Sequence, residues 1–298
     1  MTKIRYREWN PRPETIERLV FINALLEEYK GRQVTVRQLY YRLVAAEKIA
    51  NNDREYDRVQ ALLTDARYGG AIAWDAIEDR NREAVKASEW TSGKDLLKDA
   101  GNQFRLDRWE SQAFYLELWS EKAALAGVLA PIAMDYHLTL MVNRGYSSAS
   151  AMKEAADRII RRSRGTESHP AGHRAVILYV GDHDPSGLHM EQDILDRLFE
   201  FGCPPTLSLR RVALTLDQVR KFKLPPNPAK LTDSRAAEYV TKFGPLSWEA
   251  DALPPNVLEL TTRQIVSSYV DQAAMAEVMT REQRIKAKIA KYADTLAD

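Results

Sequence analysis

Apolar positions in the first third of the chain recur at helical spacing. Between Thr15 and Tyr29, the residues Ile16, Leu19, Val20, Asn23, Leu25 and Leu26 fall near one stripe, and Gly31 stops the run. Thr35-Val36-Arg37-Gln38 carries the hydroxyl and amide of a capping box, which predicts a second helix. Asn51-Asn52-Asp53 breaks that helix and caps a third, on which Tyr56, Val59, Leu62, Leu63 and Ala66 repeat at helical spacing until Gly69-Gly70. Two short helices joined by a polar turn predict a helix-turn-helix. The stretch from Ile72 to Ile77 predicts a short wing strand, and a polar, linker-like helix is expected from about Arg82 to Arg108.

The pattern changes near Ser111. Apolar runs at Ala113–Trp119, Leu138–Val142, Ala175–Val180 and Leu207–Leu214 alternate with helical segments from Glu121, from Ser147 and around Met190–Phe199. Strands alternating with helices predict a mostly parallel sheet covered on both faces. Helices return past Trp248, and Pro204-Pro205, Pro225-Pro226 and Pro254-Pro255 punctuate loops. The expected fold class is α/β in two domains. Residues 1–110 form a helical, winged-helix-like domain, and residues 111–298 form the strand-and-helix domain with its C-terminal helices.

Composition adds bounds. With 298 residues, 45% of them hydrophobic, the chain has the material for one large core or two ordinary ones. Its 43 Lys and Arg nearly cancel its 42 Asp and Glu. Bulk charge therefore speaks neither for nor against nucleic acid, which requires only a basic face. A single cysteine, Cys203, precludes an intramolecular disulfide and fits a reducing compartment. No apolar run approaches the roughly 18 residues of a membrane span. Met1 to Trp9 has no signal-peptide core. A soluble cytoplasmic protein without membrane association is expected. No Gly-X-X-X-X-Gly-Lys-Ser/Thr occurs, so no P-loop for ATP is expected.

Candidate chemistry lies at the ends of the apolar runs. Val176 to Val180 leads into Gly181-Asp182-His183-Asp184-Pro185-Ser186-Gly187. In an extended chain, residues two apart point the same way, so Asp182 and Asp184 are expected to converge. Facing carboxylates repel unless one is protonated or a cation lies between them, and magnesium suits such oxygen ligands. The plainer alternative has both aspartates capping a helix or lining a polar turn. Glu121 follows another apolar run and supplies a third acid at a strand end.

Ser120-Glu121-Lys122, then Asn143-Arg144-Gly145-Tyr146, then Gly181 to Gly187 resemble, in that order, the Toprim core of topoisomerase VI A subunits. That family includes eukaryotic meiotic double-strand-break proteins and bacterial stand-alone relatives. The resemblance runs from about Val34 to about Asp271. It implies a Toprim domain in which Glu121, Asp182 and Asp184 bind Mg2+. Arg37-Gln38-Leu39-Tyr40-Tyr41 resembles the family's Arg-X-X-Tyr-Tyr segment, whose second tyrosine attacks DNA. Helical phase points to the same residue. Val36, Leu39, Tyr40, Leu43 and Val44 share an apolar face, whereas Tyr41 leaves it and lies one turn from Arg37. Tyr40 is therefore expected in the core and Tyr41 beside a cation. Arg37 would stabilise the phenolate or the charge on the attacked phosphate.

Arg54, Arg58 and Gln60 avoid the apolar stripe of the third helix and are candidate DNA contacts, with Arg67, Arg80 and Arg82 near the wing. Arg158, Arg161, Arg162 and Arg164 form either a second basic patch or a solvated helix end. His183 is not required by the motif. Asp251-Ala252-Leu253-Pro254-Pro255 looks like a segment of the bacterial relatives and has no assigned role. The expected function is magnesium-dependent double-strand DNA cleavage by tyrosine transesterification, similar to a type IIB topoisomerase A subunit. The alternatives are a hydrolytic Toprim-type nuclease without a tyrosine adduct, and a catalytically silent DNA-binding structural protein. Expected partners are double-stranded DNA and a second copy of the chain in a homodimer. In that dimer Tyr41 of one copy would meet the carboxylates of the other. The resemblance also implies a separate ATPase subunit.

Overall fold

A computed structural model describes residues 3–29, 33–77, 87–142, 147–165, 170–229 and 236–296. Helix α1 (Pro13–Glu28) starts on a proline, whose fixed φ suits a first helical turn. It buries Leu19, Ile22 and Leu25. Ile16 and Val20, expected on the stripe, are exposed, and Ile22 takes the central place. Helix α2 (Val36–Ala45) opens with the expected capping box. Gln38 N donates to Thr35 Oγ1 at 3.2 Å, and Thr35 N donates to Gln38 Oε1 at 2.9 Å. Helix α3 (Asp53–Tyr68) is capped by Asn52, which accepts from Glu55 N at 3.0 Å, and buries Val59, Leu63 and Ala66.

The expected wing strand does not form between Ile72 and Ile77. Residues 74–76 make a 3-10 turn, and Ile77 forms a single parallel bridge with Val34. Ile72, Ala73, Ala76 and Ile77 are buried, while Trp74 and Asp75 are exposed. That pairing of buried positions follows a helical turn rather than the alternation of a strand. The polar stretch expected to act as a linker contains helix α4 (Gly93–Gln103), which packs against the C-terminal helix α11 (Gln272–Thr295). Gly101 permits the approach, since a Cβ there would lie 3.0 Å from Ile289 Cγ2.

The second part of the chain builds a parallel sheet of four strands among the described residues. These are β1 (Phe114–Ser120), β2 (Thr139–Val142), β3 (Arg174–Val180) and β4 (Ser208–Ala213), in the order β2-β1-β3-β4. Helices α5 (Ala126–Tyr136), α6 (Ala149–Ser163) and α7 (Pro185–Glu200) follow β1, β2 and β3. Alternate side chains of the strands feed two cores. Tyr115, Trp119, Ala175, Ile177 and Tyr179 pack with α6 and α7. Leu116, Leu118, Val176, Leu178 and Val180 join one continuous core with residues of α1, α2 and α3. The N-terminal helices are therefore packed on the sheet assembly and share its hydrophobic interior.

Beyond the sheet lie helix α8 (Leu216–Phe222), strand β5 (Asn227–Pro228), helix α9 (Ala236–Phe243) and strand β6 (Leu246–Ser247), with β5 and β6 antiparallel. A 3-10 turn at Ala250–Ala252 packs against α2 and leads into α10 (Pro255–Ser267). No helix of the described residues is long and apolar enough to cross a membrane.

Candidate functional site

The adjacent strands β1 and β3 end together, with Ser120 beside Val180. Glu121 follows directly, and its N–H donates to Val180 O at 2.9 Å. Its Oε2 accepts from Asp182 N at 3.1 Å and from the Tyr179 hydroxyl at 3.4 Å. Gly181 makes room for this carboxylate, because a Cβ there would lie 2.8 Å from Glu121 Oε2 and 2.6 Å from the Tyr179 ring. Burial raises the Glu121 pKa. The Asp182 N–H opposes that shift, and nearby Asp184 adds to it.

The two aspartates do not converge as strand alternation suggests. Strand β3 ends at Val180, and Pro185 starts α7 at once, so Asp184 becomes the helix cap and accepts from Gly187 N at 2.6 Å. Asp182 turns elsewhere. Its Oδ1 accepts from Ala250 N at 2.7 Å, and its Oδ2 lies 2.8 Å from Lys122 Nζ. Burial pushes the Asp182 pKa up to about 7, against the pull of Lys122. Among the described residues, no three His, Cys, Asp or Glu side chains form a group that could hold a metal ion. The hydrogen bonds of these two acids among the described residues fall on Glu121 Oε2 and Asp184 Oδ1.

A second ring of charge, which no local motif marks, adjoins the first. Lys122 Nζ also lies 2.7 Å from Glu249 Oε2 and 3.7 Å from Asp251 Oδ2. Arg37 Nη2 reaches the same Glu249 oxygen at 2.5 Å, and Arg37 Nε lies 3.0 Å from Asp251 Oδ2. Tyr41 completes the set. Its hydroxyl accepts from Arg37 Nη2 at 3.5 Å, and the Glu249 carboxylate lies close enough to raise its pKa. Asp251 is buried and accepts no hydrogen bond on either oxygen, so the two cations balance its charge through space.

The pKa directions follow. Burial opposes charge on Glu249, but Lys122, the Tyr41 hydroxyl and Arg37 outweigh it and hold the carboxyl at about 2. Burial likewise works against the Lys122 ammonium, and Asp251, Asp182 and Glu249 overcome it, so the group stays charged. For Tyr41, burial and then the Glu249 charge push the phenol well above its ordinary value.

A clip built on His183 brings Glu249 and Asp251 to this place. His183 N donates to Trp248 O at 2.8 Å, and Trp248 N donates back to His183 O at 3.0 Å. The His183 ring is buried among Tyr239, Phe243 and Trp248, with Nδ1 2.9 Å from the Tyr239 hydroxyl. Arg211 secures the neighbouring loop by donating to the carbonyls of Gly181, Asp182, Leu214 and Gly187, while its charge is matched by Glu191.

Tyr40 is a core residue, as its helical phase predicts. Its hydroxyl donates to Asn51 Oδ1 at 2.9 Å and lies 3.2 Å from Asn52 O. Tyr41 was expected to be available, yet it is 5% exposed against 4% for Tyr40. Glu249 and the turn that carries it cover the face that helical phase left open. Both tyrosines line a cleft of ≈ 380 Å³ together with Arg37, Asn51, Asn227 and Glu249.

Arg54, Arg58 and Gln60 are exposed on α3, and Arg58 pairs with Glu55 one turn earlier. Arg67 is half-buried, and its guanidinium stacks 4.9 Å from the Trp74 ring centroid. Arg80, Arg82 and the segment Asn143 to Tyr146 lie outside the described residues. The basic patch on α6 is partly tied inward. Arg158 makes two 3.1 Å contacts with the buried Glu117, and Arg162 pairs with Asp107. Comparison of the chain with family models, with curated proteins and with solved structures found no match.

Proposed function

We propose that this chain is a magnesium-dependent DNA-cleaving protein, similar to topoisomerase VI A subunits, in which Tyr41 attacks a backbone phosphate. The observation that carries the reading is one continuous polar network within a single chain. It runs from Tyr41 and Arg37 through Glu249 and Lys122 to Asp182, at the strand ends where Glu121 and Asp184 also lie. A helix from the N-terminal region and the ends of a parallel sheet have no structural need to share such a site.

A magnesium ion here would be held through two carboxylates, Glu121 and Asp184, rather than three. Mg2+ commonly takes one or two carboxylates and completes its shell with water and phosphate oxygens. Glu121 Oε1 and Asp184 Oδ2 would be the oxygens offered to it, since Oε2 and Oδ1 accept from Asp182 N and Gly187 N. The charge also favours a cation. Asp182, Glu249 and Asp251 surround Lys122, with Glu249 and Asp251 shared by Arg37, and a cation would lower the raised pKa values of Glu121 and Asp182. When bound, the metal would supply a Lewis acid for a phosphate oxygen.

The chain's own residues supply the rest. Arg37 offers a fixed guanidinium beside Tyr41 for the charge that develops on phosphorus oxygens. The Tyr41 oxygen forms a bond to the 5′ phosphate as the bond to the 3′ oxygen breaks, and the phenolic proton ends on the 3′ hydroxyl. Arg54, Arg58 and Gln60 on α3 face solvent and suit phosphate or base contacts in double-stranded DNA. A double-strand break calls for two copies of the chain, one per strand, hence a homodimer. ATP-driven strand passage would call for a separate ATPase subunit, since this chain has no P-loop.

The test is a denaturing gel for protein covalently joined to DNA 5′ ends in the presence of Mg2+. Wild type and Tyr40→Phe are expected to give the adduct, with Tyr40→Phe losing about 1 kcal/mol of stability through its Asn51 hydrogen bond. Tyr41→Phe is expected to give none; an adduct from folded Tyr41→Phe ends the nucleophile assignment. The burial of Tyr41 and its raised pKa favour a second reading, hydrolysis by a metal-activated water with Tyr41 structural. Magnesium-dependent cleavage by Tyr41→Phe that leaves free 5′ ends would select it.

A further inference from the structure

A chain with 43 basic and 42 acidic residues binds a polyanion only through a face where the cations gather, and α11 has such a face. The helix turns Met275, Val278, Glu282 and Ala293 inward, and Glu282 is matched there by Arg108 and Lys286. On the other side, Arg281, Arg284, Lys288 and Lys291 follow one another at spacings of three and four residues, so they form one stripe. All four are exposed. Between Val278 and Ala293 the chain has no acid except the buried Glu282. Among the described residues, the ion pairs of the stripe reduce to one, Arg281 with Glu110 at 3.5 Å. We propose that this stripe on α11 holds the sugar-phosphate backbone of double-stranded DNA, outside the network around Tyr41. The inference rests on the DNA part of the reading above and not on any chemistry at Tyr41.

The other basic groups are already matched or diluted. On α6, Arg158 pairs with Glu117 and Arg162 with Asp107. On α3, Arg54 and Arg58 alternate with Asp53, Glu55 and Asp57, and Arg58 pairs with Glu55. The helix dipole does not account for the α11 stripe. Its effect is confined to the last turn, and the last turn of α11 carries no basic residue. Cations three and four residues apart repel one another, a cost that a row of phosphates removes. The stripe spans ten residues, about 15 Å at a rise of about 1.5 Å each. Duplex DNA carries one negative charge per about 1.7 Å of axis, so all four cations can meet phosphates at once. Exposed Tyr292, one turn after Lys288, adds a hydroxyl suited to a phosphate oxygen. An anionic membrane fits less well, since a helix lying on a bilayer inserts its apolar face, and that of α11 is packed against α4.

The experiment is fluorescence anisotropy of a labelled mixed-sequence duplex with the full chain, in EDTA, across a NaCl series. Wild type is compared with a triple variant, Arg284→Gln, Lys288→Gln and Lys291→Gln combined. The control combines Lys153→Gln and Lys242→Gln, whose cations are paired with Asp157 and Glu238. The triple variant is expected to bind at least about tenfold more weakly at low salt and to lower the slope of log K against log salt by about 2–3, since each phosphate contact contributes about 0.9. The control is expected to follow wild type. The single variant Lys288→Gln, expected to lower the slope by about 1, carries the same test if the triple variant unfolds. Wild-type affinity and slope in the triple variant overturn the inference, and so does an equal loss in the control. A wild-type protein that ignores the duplex but binds phosphatidylserine vesicles overturns it as well. Weakened binding by the triple variant, with no adduct from wild type on the denaturing gel, keeps the inference and removes only the cleavage reading. A wild-type adduct with an unchanged slope in the triple variant does the reverse.

Discussion

Asp251 sits at 2% exposure between Arg37 and Lys122, with no hydrogen bond to either oxygen. A buried carboxylate in that position is worth keeping only if both cations need it, because its own desolvation is costly. The amide of Asp251→Asn keeps the shape and removes the charge, leaving two cations against fewer anions. The expected cost is about 2–3 kcal/mol, read as a lower urea midpoint at unchanged slope. An unchanged midpoint would show that the charge network contributes nothing to stability. Glu117 shows the same logic elsewhere in the sheet: a buried acid held by Arg158, the Tyr115 hydroxyl and the Trp119 indole.

At the scale of elements, two contacts fix where the site can form. The His183–Trp248 pairing holds the turn that carries Glu249 and Asp251 against the end of β3. The other contact docks α11. Glu282 on that helix is buried, accepts from Leu106 N at 2.9 Å and pairs with Arg108 at 3.5 Å and Lys286 at 3.3 Å. Burial would raise its pKa, but the Leu106 N–H, Lys286 and Arg108 together bring it below the usual carboxylate range. A depressed folded pKa adds stability that is fully present above the unfolded value, near 4.3 for Glu, and is lost as pH falls through the folded one. Glu282→Gln is therefore expected to cost about 1–2 kcal/mol at neutral pH, and less at about pH 3.5, below the unfolded glutamate value. Urea melts at both pH values check this. An equal gap at the two would mean that the Glu282 charge is not what docks the helix.

For the molecule as a whole, the shared core changes how a dimer is expected to work. The family resemblance implies a dimer in which Tyr41 of one copy works with the carboxylates of the other. Residues of α1, α2 and α3 instead join the core of the sheet, and Arg37 and Tyr41 reach Glu249 and Lys122 of their own chain. In the proposed dimer each copy would carry Tyr41, Arg37, Glu249 and Lys122 together. Mixing Tyr41→Phe protein with Asp182→Ala protein is therefore expected to give no DNA nicking, since no chain in any heterodimer is complete. Restored nicking would show that the tyrosine works on the partner's carboxylates.

Much of this fold is legible in the sequence because the signals are local. The apolar runs before Glu121 and Asp182 mark strands β1 and β3, and Thr35 with Gln38 marks the start of α2, since both depend on residues within a few positions of one another. Helical phase separates Tyr40 from Tyr41 correctly about the α2 axis. It does not show that Glu249 covers Tyr41, because the covering residue arrives from the far end of the chain. Ile72 to Ile77 has the composition of a strand, yet it forms a 3-10 turn with Ile72, Ala73, Ala76 and Ile77 buried and a single bridge to Val34. The sequence also contains Lys122, Glu249 and Asp251, but no spacing rule links them. Whether Asp182 faces a metal or an ammonium depends on how residues 247–252 pack against β3. That packing is set by His183 among three aromatic rings and by the burial of charges too expensive to leave unpaired. Local sequence thus determines the elements and the strand ends that carry the acids. Tertiary structure alone decides which charges meet, because Coulomb energy depends on distance through space and not on separation along the chain.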